Sequence, residues 1–369
     1  MKTKFLLSTW VLLSILSIGC KKDKTIEPQP NKLEVIINDV PYQTEKYLRI
    51  GYTLKTWEFT KDGLQLQQIV VLDDDSKTEL LKIGNTDNLL IYHDPLDENP
   101  FLTYDIITSY YLSIQLPILL GQPVPTNVSH RFVFKDTIQN KEVVVEGGLF
   151  SPRKNETPIA ISSPVKGTNW LFINQSTLGY HFNAMFFVQG TIWTAERYAF
   201  DNLQLNEDQV THVGDPKINE SYFNYEDTLF AVADGTIVTL KDGRPENSGD
   251  ARDVQFNSLD EYGGNYVILN MGSGRFAVYG HCVPNSFLVK QGDVVKEGDP
   301  IGLLGNSGNS TEPHLHFQIC DKQELFLSYG LPFVIKKYTK IGEAGTFDPF
   351  PPTEITNSMM EQFTLLRFD

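Results

Sequence analysis

The sequence predicts a mostly β protein built as two antiparallel β domains, and three observations predict it. Apolar and polar residues alternate with period two in short runs, as in Leu33 to Ile37, Leu64 to Val71, Leu112 to Leu116 and Arg131 to Phe134. Turn chemistry breaks these runs, with Asp62-Gly63, Asp73-Asp74-Asp75 and proline clusters between them. No long helical pattern precedes the C-terminus. At 369 residues the chain is long enough for two domains, each burying its own core.

Taken in order, residues 1–19 read as a targeting signal. Lys2 and Lys4 precede the apolar stretch Phe5 to Gly19, which is short for a bilayer span but suits a signal-peptide core. Leu16-Ser17-Ile18-Gly19-Cys20 resembles a bacterial lipobox, which implies cleavage before Cys20 and lipidation of its thiol. Residues 20–32, with Pro28 and Pro30, form a tether. Residues 33–150 form an all-β accessory domain resembling a sandwich. It holds no cluster of reactive side chains, and His93 and His130 read as surface or packing residues. Ser162 to Trp170 marks entry into a second β domain over residues 160–321. Residues 322–369 form an extension, with a short helix expected from Glu354 to Thr364.

The formal charge of −15 argues against nucleic acid and against adsorption to anionic lipid. With Cys20 assigned to lipid, Cys282 and Cys320 are expected as buried free thiols, a disulfide between them being the alternative.

The most informative segment runs from Gly305 to Gln318, a glycine-punctuated turn entering a strand. Alternation puts His314, His316 and Gln318 on one face and Leu315, Phe317 and Ile319 on the other. The apolar face packs. On the imidazole face, one ring can ligate a metal while its neighbour, roughly 7 Å along the strand, reaches a bound water or a substrate.

These residues resemble the lysostaphin-type zinc metallopeptidases, which cut peptide cross-links in bacterial cell walls. The family run G-x-T/S-G-x-S-T-G-P-H-L-H-F-E is matched nearly throughout, with Glu312 in place of glycine and Gln318 in place of glutamate. Upstream, Leu229 to Val238, Gly264 to Leu269, Tyr279-Gly280-His281 and Val289 to Gly305 match further family motifs in order. The resemblance covers roughly residues 195–320. It implies an antiparallel β metallopeptidase domain of the lysostaphin type, a zinc cofactor and a peptidoglycan peptide as substrate. The accessory domain would then be a spacer, a wall-binding module or a dock for a protein partner. The whole would be lipid-anchored to a bacterial membrane, facing the periplasm or the cell exterior.

The family takes its ligands from the His and Asp of H-x-x-x-D and from the second His of H-x-H. Here Asp201 and His316 are present, but Arg197 stands in the histidine position and has no lone pair to give a metal. His181 is a candidate replacement, on a hairpin turning near Gln189-Gly190. A three-residue loop would bring His181 to the face of Asp201, whereas a two-residue loop would point it away. His212, in a loop past Asp201, competes for the role. The expected zinc ligands are therefore His181, Asp201 and His316. His314 would be the general base, and His281 would orient water or stabilise charge, with Tyr279 on the face of His281. The alternative, motivated by Arg197 and Glu312, is a catalytically degenerate module that binds wall or a partner and regulates another cell-wall hydrolase.

Overall fold

A computed structural model describes residues 33–55, 64–84, 111–173, 181–188, 190–249, 256–347 and 350–369. The signal segment, Cys20, the tether and His93 lie outside the described residues.

Nearly all regular structure among the described residues is antiparallel strand. In the N-terminal part, Tyr47–Lys55 pairs with Glu34–Asn38, Tyr42–Gln43 and Tyr111–Leu119. A second sheet runs in the order Glu79–Gly84, Leu64–Asp73, Val128–Asp136, Lys141–Phe150. The alternation seen in the sequence has a physical reading here. Tyr52, Leu54, Ile69, Val71, Leu116 and Phe132 belong to one buried core shared by both sheets.

The C-terminal part is organised by one long sheet. Its strands run in the order Val294–Val295, Gly235–Lys241, Asn265–Asn270, Phe276–Cys282, Leu315–Cys320, Phe200–Gln204, Gly167–Ile173, Thr364–Phe368, Phe333–Glu343, Thr353–Ser358. Ile159–Ile161 pairs in parallel with Phe333–Glu343. In the middle of this sheet Phe200 pairs with Phe317 and Phe317 with Tyr279, while Asp201 pairs with His316 and His316 with Gly280. The first row sits in the buried apolar core and the second faces the other way.

The helix expected over Glu354 to Thr364 is not formed. Thr353–Ser358 and Thr364–Phe368 are strands, each paired with Phe333–Glu343. The β-branched Thr353, Ile355 and Thr356 are better placed on a pleated edge than in an isolated turn of helix. Cys282 and Cys320 are buried and free.

Candidate metal centre

Asp201 is the hub. Its strand is hydrogen-bonded on both edges, to Gly167–Ile173 and to Leu315–Cys320, so the carboxylate is fixed by backbone on either side. Three imidazoles turn toward it. His316 Nδ1 lies 3.0 Å from Oδ1, His314 Nε2 3.6 Å from Oδ1 and His181 Nε2 3.6 Å from Oδ2. His181, Asp201 and His316 each offer a ligand atom, and these lie within 4.8 Å of one another. The histidines line one cleft of about 270 Å³ with Glu196, Asp201, Tyr262 and Phe326.

The hydrogen bonds fix which nitrogen carries each proton. His314 Nδ1 donates to the Glu312 carbonyl at 2.8 Å, leaving the Nε2 lone pair free. His281 Nδ1 donates to the Ser307 carbonyl at 2.8 Å, with the same result. Gln318 Nε2 donates to the Leu325 carbonyl, so its Oε1 is the atom 2.9 Å from His316 Nε2 and accepts that proton. A neutral His316 would therefore aim a lone pair at a carboxylate oxygen 3.0 Å away, so the pair calls for a second proton on Nδ1 or a cation in its place.

With no cation bound, the electrostatics favour the second proton. Burial opposes ionisation of Asp201, yet His181, His314 and His316 around it hold its carboxyl well below the usual range. Burial alone would depress His316, but the hydrogen bond and charge of Asp201 outweigh it and raise the imidazole to about 9. Burial, then the neighbouring His314 and His316, push His281 well below its ordinary value.

Two positions depart from simple strand alternation. Val188 pairs with Thr191, the two-residue-loop register that would direct a continuing strand's His181 away from Asp201; the three-residue register is not formed. Pairing stops at Phe186 and Trp193, and His181–Asn183 is instead a 3₁₀ turn, so His181 is released from the pleat. Tyr279 and His281, expected on one face, are also separated. Gly280 and His281 stand opposite the single Tyr266 in a bulge, and His281 is left-handed at φ 63°. That twist carries its ring into the cleft, while the Tyr279 hydroxyl stays in the core and accepts from the Val232 amide at 2.9 Å.

The glycine-rich lead-in has a packing cause. A Cβ on Gly308, at φ 76°, would press within 2.6 Å of the Gly264 Cα and of the Tyr262 carbonyl. Ser307, beside it, donates to the Cys282 carbonyl at 2.8 Å and presents its own carbonyl to His281.

Arg197 does not line the cleft. It is fully buried, donates to Asp39 at 2.7 Å and to Ser113 at 2.7 Å, and also contacts Thr53. His212 does not join the cluster; its ring packs on Tyr222 at 4.9 Å. Glu312 is accommodated because its backbone carbonyl meets His314 while its side chain accepts from Thr211. Sequence reasoning missed Glu196, whose Oε1 is 4.0 Å from His316 Nε2. It sits in the tight turn between Trp193 and Phe200, and a carboxylate five residues ahead of Asp201 was the only signal.

Residues 223–326 match the model of peptidase family M23. This stretch holds His281, His314 and His316, while His181 and Asp201 precede it. Peptidoglycan DD-endopeptidase ShyA of Vibrio cholerae is 38% identical over 89 residues, covering 24% of this chain and 20% of that protein. An uncharacterized metalloprotease of Haemophilus influenzae is 47% identical over 90 residues, covering 24% of this chain and 17% of that one. The chain thus spans about a fifth of the length of these curated relatives. The crystallised catalytic domain of lysostaphin from Staphylococcus simulans is 28% identical, with 32% of this chain and 84% of that domain covered and a TM-score of 0.22. Residues 223–326 of this chain are a peptidase family M23 domain.

Proposed function

We propose that this protein is a zinc-dependent endopeptidase that hydrolyses peptide cross-links of bacterial peptidoglycan. The observation that carries the reading is the convergence of His181, Asp201 and His316, whose ligand atoms lie within 4.8 Å of one another as a two-imidazole, one-carboxylate donor set. That set suits zinc, which in catalytic sites takes three protein ligands and keeps one position open. Zinc held there would polarise the scissile carbonyl and make water acidic enough to supply hydroxide near neutral pH.

The chain's own residues supply the rest. His314, with Nδ1–H committed to the Glu312 carbonyl, has Nε2 free to take a proton from attacking water and return it to the leaving amine. His281, with Nδ1–H committed to Ser307, presents an acceptor and suits orienting water better than donating to an oxyanion. Cys20 would tether the chain to a membrane facing the periplasm or cell exterior, a role supported by the lipobox-like residues before it. Loss of labelled-palmitate incorporation in Cys20→Ser checks that part.

The deciding experiment measures zinc in the purified protein and digests peptidoglycan with and without chelator. Bound zinc and chelator-sensitive release of peptides are expected. A metal-free protein that still retains wall fragments would select the degenerate binding module instead. Zinc stoichiometry should fall after dialysis of His181→Ala, and an unchanged value removes His181 from the ligand set.

A further inference from the structure

The four histidines of the cleft are not held alike. Carbonyls fix His281 and His314, and the Gln318 amide fixes His316. His181 Nδ1 is buried with no hydrogen-bond partner among the described residues. Its Nε2 lies 3.6 Å from Asp201 and its ring meets His316 edge-on at 4.8 Å, so the ring depends on the turn that carries it, and the adjacent side chain shows what holds that turn. Phe182 lies under the Arg197 guanidinium, 5.0 Å from ring centroid to Cζ, and edge-on to Tyr198 at 6.2 Å.

Arg197 and Tyr198 are in turn gripped by the N-terminal sheets. The guanidinium fork reaches Asp39, Thr53 and Ser113, on or just past three N-terminal strands. The Tyr198 hydroxyl donates to the same Asp39 oxygen at 2.8 Å, and its ring meets Tyr42 edge-on at 5.4 Å. Gly51 makes room for this. A Cβ there would collide with the Tyr198 hydroxyl and sit 3.2 Å from Asp39 and 3.5 Å from Phe182.

We infer that Arg197 and Asp39 are positioning residues for His181, so that the N-terminal β module sets one corner of the metal site. Arg197 thus holds the turn that presents His181. The inference rests on the proposed metal reading, and it makes the accessory module a structural condition of metal binding. A buried ion pair with a purely structural role would change stability alone, because the ligands would keep their places.

The test uses the full chain with Asp39→Asn, which keeps the shape and removes the charge, and with Gly51→Ala, which keeps both charges and crowds Tyr198, Asp39 and Phe182. Zinc affinity is read by competition with a chromogenic chelator, and amide hydrogen exchange is read on the metal-free chain. Both variants should weaken zinc about tenfold or more, the range seen when groups that orient ligands are lost. Exchange should quicken over residues 181–201 while residues 265–282 keep wild-type protection. Adding His181→Ala to either variant should cost less affinity than it costs the wild type. Wild-type affinity in a folded variant, or a loss that adds in full to that of His181→Ala, overturns the inference. Should one variant not fold, the other carries the test. Should the wild type bind no zinc, the metal reading fails by itself, and unchanged exchange over 181–201 then separately overturns the positioning role.

Discussion

His130 and His316 are both buried, one in each half of the molecule, and only His316 is set against a charge. In the N-terminal sheets His130 is fully enclosed, donating Nδ1–H to the Gly148 carbonyl at 3.2 Å and accepting at Nε2 from the Tyr52 hydroxyl at 2.9 Å. Both nitrogens are satisfied by neutral groups, and burial pushes the ring down to about 4. In the C-terminal sheet His316 has one nitrogen satisfied by Gln318 and the other turned on a carboxylate. Burial is common to both. What separates the two is the buried carboxylate, which holds His316 ionised at neutral pH while His130 stays neutral.

The comparison can be broken most sharply at the H-L-H pair. His316→Ala should lose both zinc and turnover. His314→Ala should keep zinc while turnover of a peptidoglycan peptide falls by roughly 10²- to 10⁴-fold, the usual worth of a general base. Equal zinc loss in the two variants would put His314 among the ligands.

His130 gives the next largest effect. Its folded value of about 4 lies below the ordinary 6.5, so the unfolded chain binds more protons between those limits. Stability is therefore lost as pH falls from about 6.5 toward about 4, by about 3 kcal/mol in all, and this site adds no further loss below that window. Urea melts at several pH values should show a shallower slope in His130→Gln; parallel slopes would refute the assignment.

Gln318→Glu tests the smallest difference. His316 keeps an acceptor at Nε2, but a carboxylate oxygen would now face the Leu325 carbonyl. A thermal melt should show roughly 1–3 kcal/mol of destabilisation. Zinc affinity should move by less than about tenfold. A large affinity loss would mean that the amide itself is required.

Much of the fold could be read in advance because a half-buried strand leaves a period of two that survives in a single sequence. The Leu64 to Val71 and Arg131 to Phe134 runs are of this kind, and so is the H-L-H strand with its imidazoles on one face. The strand Thr353–Ser358 was missed because an exposed edge carries little pattern. The site was legible where residues sit on regular strands, as Asp201 and His316 do. It was illegible where geometry leaves the pleat. The left-handed backbone of His281 and the 3₁₀ turn at His181 follow from local packing that alternation does not encode. The task of Arg197 was hidden for another reason: its partner Asp39 is 158 positions away, and only the folded chain brings them together.

The strand that presents Asp201 has a kinetic consequence. Its two hydrogen-bonded neighbours are supplied by residues around 170 and 315, and the first of these is flanked in turn by Thr364–Phe368. Closing that last pair loops out close to two hundred residues, so the sheet assembles late and from distant pieces. Until then the Gly167–Ile173 edge stands open to pairing with other chains, and conditions that shorten that interval should improve the yield of refolded protein.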